Sequence, residues 1–118
     1  MTAPPGPTTE PLEQGRAAFN RGDFFAAHEH WEEAWRALEG APRVQAQGLI
    51  QIAAGLHHLQ HGRPRPAARL LAKGLEKLAR GDAARLGDLP VDALAGEVAG
   101  LLAELSGGGT PDPGRLRL

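Results

Sequence analysis

Residues 19–38 read FNRGDFFAAHEHWEEAWRAL, and 40 positions further on residues 59–78 read LQHGRPRPAARLLAKGLEKL. Each stretch starts on a large apolar residue, passes through a glycine, and continues into large residues spaced for one helical face. Phe19 pairs with Leu59, Gly22 with Gly62, Ala27 with Ala67, Trp31 with Leu71, Trp35 with Leu75 and Leu38 with Leu78. This is the pattern of a turn and second helix of a helical hairpin, present twice.

Reading outward gives the rest of the fold. Thr9 as N-cap and Pro11 in the first turn predict a helix over about Glu10 to Asn20. Asp23 caps a second helix, which runs to about Glu39 and is stopped by Gly40 and Pro42. A third covers about Arg43 to His61, and Pro64 starts a fourth that reaches about Arg80. Asp88, Pro90 and Asp92 are start signals for a fifth over about Val91 to Leu105, with Gly107 as its stop. Alternating patterns are absent and β-branched residues are scarce, so no strand is expected. The G-D-F-x-x-A turn resembles that of a tetratricopeptide hairpin, although that repeat is near 34 residues. The fold class is therefore all-α: a compact bundle of about five helices, two tetratricopeptide-like hairpins plus a C-terminal helix. Residues 1–8 and 107–118 are rich in Pro and Gly without apolar periodicity. They read as disordered tails around a single helical domain at 9–106.

Composition removes several functions. A net charge of −1 over 118 residues offers no basic surface for nucleic acid or an anionic membrane. The chain has no cysteine, which excludes disulfides, thiolate metal sites and a cysteine nucleophile. Its only serine is Ser106 and it lacks G-x-S-x-G, so serine hydrolysis is excluded as well. The N-terminal MTAPPGPTTEP has neither a charged nor an apolar leader region, and no apolar run approaches the roughly 20 residues that span a bilayer. A cytoplasmic address is the expectation.

The chemistry concentrates in HEHWEEAW, residues 28–35. On a helix, Phe24, Ala27, His28, Trp31, Ala34, Trp35 and Leu38 form one stripe. Phe19, Phe24, Trp31 and Trp35 are thus the core aromatics, while His30 and Glu33 fall on the solvated side. His28 and Glu32, at i and i+4, point to one spot on the margin of the stripe, with Glu29 a step further out. The third helix carries Leu49, Ile50, Ile52, Leu56 and Leu59 around most of its circumference, yet Gln47, Gln51 and His58 lie on one line with Ala54 between them. A buried polar line needs partners. An antiparallel hairpin would set it against the His28/Glu32 edge, with His28 level with His58 and Trp35 level with Gln51.

The segments FNRGDFFAAHEHWEEAWR and GLIQIAAGLHHLQHG resemble domain-of-unknown-function family 309, a family of small all-helical prokaryotic proteins. Its signature is F-N-x-G-x-(F/Y)-F-x-x-H-E-x-x-E-x-x-W followed by L-I-Q-x-A-x-x-x-H-H or similar. The likeness covers about residues 17 to 80. The signature positions are Phe19, Gly22, His28, Glu29, Glu32, Trp35, Gln51 and His58, all kept here. The resemblance implies the helical fold and these site positions, and it implies no particular activity.

Three readings of the cluster follow from its residue types. His28, Glu32, Gln51 and His58 can satisfy one another as a hydrogen-bond network, with Glu32 also able to pair with Arg36. His28, Glu32 and His58 can instead hold a divalent metal, for which Zn, Mn or Fe suits the donors. HEHWE is not HExxH, so no metalloprotease follows. Without a metal, His28, Glu29, Glu32 and His58 can do acid–base chemistry. His57 and His61 are expected to decorate the edge or end of the third helix. The favoured function is a non-catalytic module for a protein, peptide or small-molecule ligand, compatible with homo-oligomers. The alternative is a small metal-dependent or acid–base enzyme of hydrolase-like type.

Overall fold

The computed structural model describes residues 6–81 and 84–118. Among these, five α-helices and no strand are found: α1 Thr9–Asn20, α2 Phe24–Ala37, α3 Gly40–Gln60, α4 Pro64–Arg80 and α5 Val91–Ser106. No helix among the described residues is long and apolar enough to cross a membrane. The boundaries follow the expected punctuation with two shifts. Thr9, expected as the N-cap of α1, is its first helical residue, preceded by Thr8 with no side-chain cap bond. Gly40-Ala41-Pro42 opens α3 instead of filling a loop, because a proline in the first turn gives up no helical hydrogen bond. The link between α2 and α3 is only Leu38 and Glu39, both extended.

The two glycine turns are built alike. Gly22 has φ +79° and Gly62 φ +69°, the left-handed region that a Cβ disfavours. In the first, Gly22 N–H donates to Phe19 O and Asp23 N–H to Ala18 O; in the second, Gly62 N–H donates to Leu59 O and Arg63 N–H to His58 O. Both therefore satisfy the last carbonyls of their helix in the same way.

Helices adjacent in sequence are adjacent in space, and α3 is the central one, packed on α2 and α4. Leu49, Ile52, Ala53 and Leu56 are fully buried there, against Phe19, Phe24 and Trp31 from the first hairpin and Leu71 from α4. Phe19 packs edge-on to Phe24 at 5.0 Å between ring centroids and lies 5.8 Å from Trp31. The indole N–H of Trp31 donates to Leu12 O at 3.2 Å, and Gly15 on α1 leaves the room its ring occupies. Trp35 packs against this core from its edge, half-buried. On the other side of α3, a Cβ on Gly48 would lie 2.9 Å from Gly74 O, and one on Gly74 would lie 2.8 Å from Gly48 O. α3 and α4 thus approach backbone to backbone.

Residues 107–118, which composition reads as a disordered tail, fold back on the helices. After the glycine run 107–109, a 3₁₀ turn at Pro113–Arg115 packs on α3. Pro111, Pro113, Leu116 and Leu118 are buried. Leu118 N–H donates to Asn20 Oδ1 at 2.7 Å, and Leu118 O accepts from Arg16 Nε at 2.7 Å and Asn20 Nδ2 at 3.4 Å. Four apolar residues spaced too irregularly to register as a pattern, held by main-chain hydrogen bonds, account for the difference. Of the N-terminal stretch read as a tail, residues 1–5 lie outside the described residues; Gly6, Pro7 and Thr8 lead into α1.

Candidate functional site

The start of α2 sets the site. Asp23 accepts the Ala26 N–H at 3.1 Å and so fixes where the helix begins. Phe24 then points inward, and Phe25, 100° round the helix, is left half-exposed at 51%. Gln60 at the end of α3 donates from Nε2 to Gly22 O at 2.8 Å, tying this turn to the last turn of α3.

His28 and Glu32 meet as their spacing requires. His28 Nε2 lies 2.6 Å from Glu32 Oε1, and Arg36 NH2 lies 3.9 Å from Glu32 Oε2. A carboxylate only accepts, so Nε2 carries the hydrogen; in the neutral ring Nδ1 is then a lone pair. A cavity of about 150 Å³ is lined by Phe25, His28, Ala54, His57 and His58. A second, of about 280 Å³, follows along the same seam between α2 and α3, lined by Glu32, Trp35, Arg36, Gln47 and Ile50. Glu32 joins the two, bonding a wall residue of the first while lining the second. Arg43 stacks its guanidinium 3.9 Å from the centroid of the Trp35 ring.

Among the described residues, three buried side-chain nitrogens have no hydrogen-bond partner: His28 Nδ1, Trp35 Nε1 and His58 Nδ1. All three belong to side chains lining this one seam.

Imidazoles crowd the end of the seam nearest the turn. Phe25 lies 5.7 Å from the His28 ring and 5.5 Å from that of His57, and His57 lies 4.3 Å from His61. His61 Nδ1 bonds His57 O at 2.8 Å. The pKa of His57 is held below the ordinary imidazole value, first by burial and then by His61, His58, Arg63 and His28.

The expected site residues divide accordingly. His28 and His58 share a cavity, and Glu32 is bound to His28. Gln51 lines neither cavity: its Oε1 accepts from Lys77 Nζ on α4 at 2.9 Å. Gln51 lies about 40° round the helix from Gln47, and its long side chain reaches the lysine on α4. Glu29 is exposed and lines neither cavity. Among the described residues, no three His, Asp or Glu side chains are grouped so as to hold a metal ion, so the proposed set of His28, Glu32 and His58 is not gathered round one point. His57, expected only to decorate an edge, is a wall of the first cavity. Phe25 and Arg43 were not anticipated at all, although the Phe24-Phe25 doublet carried a signal. Neighbours on a helix cannot both face the core.

The site and fold together define an all-α bundle whose second helix carries a histidine–glutamate pair on a seam. The chain belongs to the family described as Domain of unknown function (DUF309), whose model matches residues 12–70, half of its length. It is also similar to an uncharacterized protein of Aquifex aeolicus (strain VF5), at 34% identity over 71 residues. That region is 59% of this chain and 21% of the relative, so the chain spans about a fifth of the length of the curated protein it matches. No solved structure matches it.

Proposed function

We propose that the protein is a non-catalytic binding module and that its ligand seats on the seam between α2 and α3. One observation carries this reading: the three buried nitrogens without partners all lie there. An unsatisfied buried polar group costs on the order of 1–3 kcal/mol, and folded proteins keep few of them. Three in one seam suit a surface shaped for contact rather than for its own stability. Trp35 Nε1 only donates, and neutral His28 Nδ1 only accepts. A ligand that brings an acceptor to the first and a donor to the second, as a peptide amide or another amide-bearing molecule does, complements both. Small side-chain movements must admit it, since these atoms are covered. The exposed Phe25 ring adds an apolar contact at the mouth of the cavity.

The test is a magnetic-resonance screen of short peptides and amide fragments against the intact chain. Binding should perturb the His28 and His58 ring signals and the Trp35 indole N–H, survive a chelator, and be lost in His28→Ala. Hits that leave all three signals unmoved would sink the proposal.

A second reading, acid–base catalysis, is favoured by the 2.6 Å His28–Glu32 contact alone. A carboxylate that holds Nε2–H orients the ring and leaves Nδ1 as a base. Under that reading Glu32→Gln abolishes turnover of a bound ligand without weakening its binding; for a binding module no turnover is found in either protein.

A further inference from the structure

The last residues of the chain are held the way a bound peptide is held. Leu116 has extended backbone, Leu116 and Leu118 are buried, and Arg117 between them is exposed. Alternation of this kind is how an extended segment fills pockets with every second side chain. Both main-chain groups of Leu118 are read by one side chain: Asn20 Oδ1 accepts its N–H while Asn20 Nδ2, with Arg16 Nε, donates to its carbonyl. Such contacts recognise a backbone and are indifferent to where that backbone comes from. The donors and acceptors lie 98 to 102 residues away in sequence, so nothing local enforces the arrangement.

The segment leaves the helices through a glycine cap, in which the N–H groups of Gly107, Gly108 and Gly109 donate to Ala103 O, Leu105 O and Glu104 O. Gly107, Gly108 and Gly109 follow α5, and Gly108 sits at φ +88°. A cavity of about 470 Å³ lies between residues 108–111 and Leu59, Gly62 and Pro64, so this stretch is not packed against the end of the α3–α4 turn. Besides Leu118, the segment's side-chain tether is the exposed Arg115–Glu104 pair, with oxygens at 2.7 and 3.1 Å. Exposed pairs of this kind add little stability.

We infer that Arg16 and Asn20, with the apolar surface beside them on α1 and α3, form a recognition site for an extended partner segment with leucines at alternate positions, which residues 116–118 occupy in cis. This site is separate from the seam between α2 and α3, and its occupant lies outside the stretch matched by the family model.

The experiment uses the full chain and a fluorescent synthetic peptide of residues 110–118, TPDPGRLRL. Changing Leu116→Ser and Leu118→Ser together in the full chain releases its own segment while leaving the receiving surface intact. That variant should bind the peptide at least tenfold more tightly than the wild-type chain, by anisotropy. Adding Asn20→Ala should lower its affinity at least tenfold, and a peptide with both leucines changed to serine should not bind. A natively helical double variant that ignores the peptide overturns the inference, as does equal binding with Asn20→Ala. Hydrogen exchange on the wild-type chain gives an independent check. The Arg117 and Leu118 amides should exchange at least tenfold faster than the core amides of α3, and equal protection would also overturn it.

Discussion

The two tryptophans, Trp31 and Trp35, are one turn apart on one helix, yet their indole nitrogens have opposite fates. Trp31 donates to Leu12 O, while Trp35 Nε1 is buried with nothing to bond. Replacing each indole with the smaller phenyl ring removes its N–H and should therefore separate them. Trp31→Phe is expected to lose about 1 kcal/mol or more, since a bonded donor and ring volume both go. Trp35→Phe is expected to be near neutral or slightly stabilising, because the group it removes is unsatisfied. Urea denaturation of the two variants reads the difference, and equal losses would show that Trp35 is satisfied after all. Gly15 offers a second test at this scale. Any Cβ there overlaps the Trp31 ring, so Gly15→Ala should cost about 1–3 kcal/mol despite alanine's better helix propensity. At the level of residues, the stripe that buries Phe24 and Trp31 was legible from spacing. The orphaned nitrogens were not, because satisfaction depends on where neighbours' atoms end, and no periodicity encodes that.

Among the elements, the contact between α3 and α4 is the closest. Gly48 and Gly74 each lie against the other's carbonyl, so neither can take a side chain without parting the helices. Gly48→Ala and Gly74→Ala are each expected to cost about 1–3 kcal/mol. Since both force the same separation, the double variant should lose clearly less than the two losses combined. Denaturation midpoints of the three variants check this, and simple additivity would count against a shared contact. Helix number and order were readable in advance because the glycine turns and apolar periods agree along the chain, and Asp23 caps α2 as expected. The facing of α3 was only half readable. Its apolar residues surround it, so pattern alone does not say which polar residue looks at α2 and which at α4; Lys77 decided the case of Gln51.

For the molecule as a whole, histidines link stability to pH. His57 is held low by burial and by His61, His58, Arg63 and His28, with no carboxylate among the groups acting on it. Its proton is therefore bound less readily in the folded chain than in the unfolded one. Above about pH 6.5 neither state carries that proton and the full stability is present. As pH falls below that value the unfolded chain takes it up first, so stability declines until the folded His57 protonates too. The urea midpoint should drop between about pH 7.5 and pH 5.5, and drop less in His57→Gln. An identical decline in both proteins would place the linkage elsewhere. At this scale composition misled about residues 107–118, because glycine and proline content reports how flexible a segment would be alone and not what it lies against.

Among the described residues, most of the packing joins helices that follow one another along the chain, and the bonds from Leu118 to Arg16 and Asn20 close a loop of about a hundred residues. Chains dominated by near-neighbour contacts fold quickly, and closing a long loop is a separate entropic step. During refolding the helices can thus assemble before residues 116–118 dock. For that interval the Asn20 surface is open to whatever extended segment reaches it first, and the order of events becomes part of what the surface can recognise.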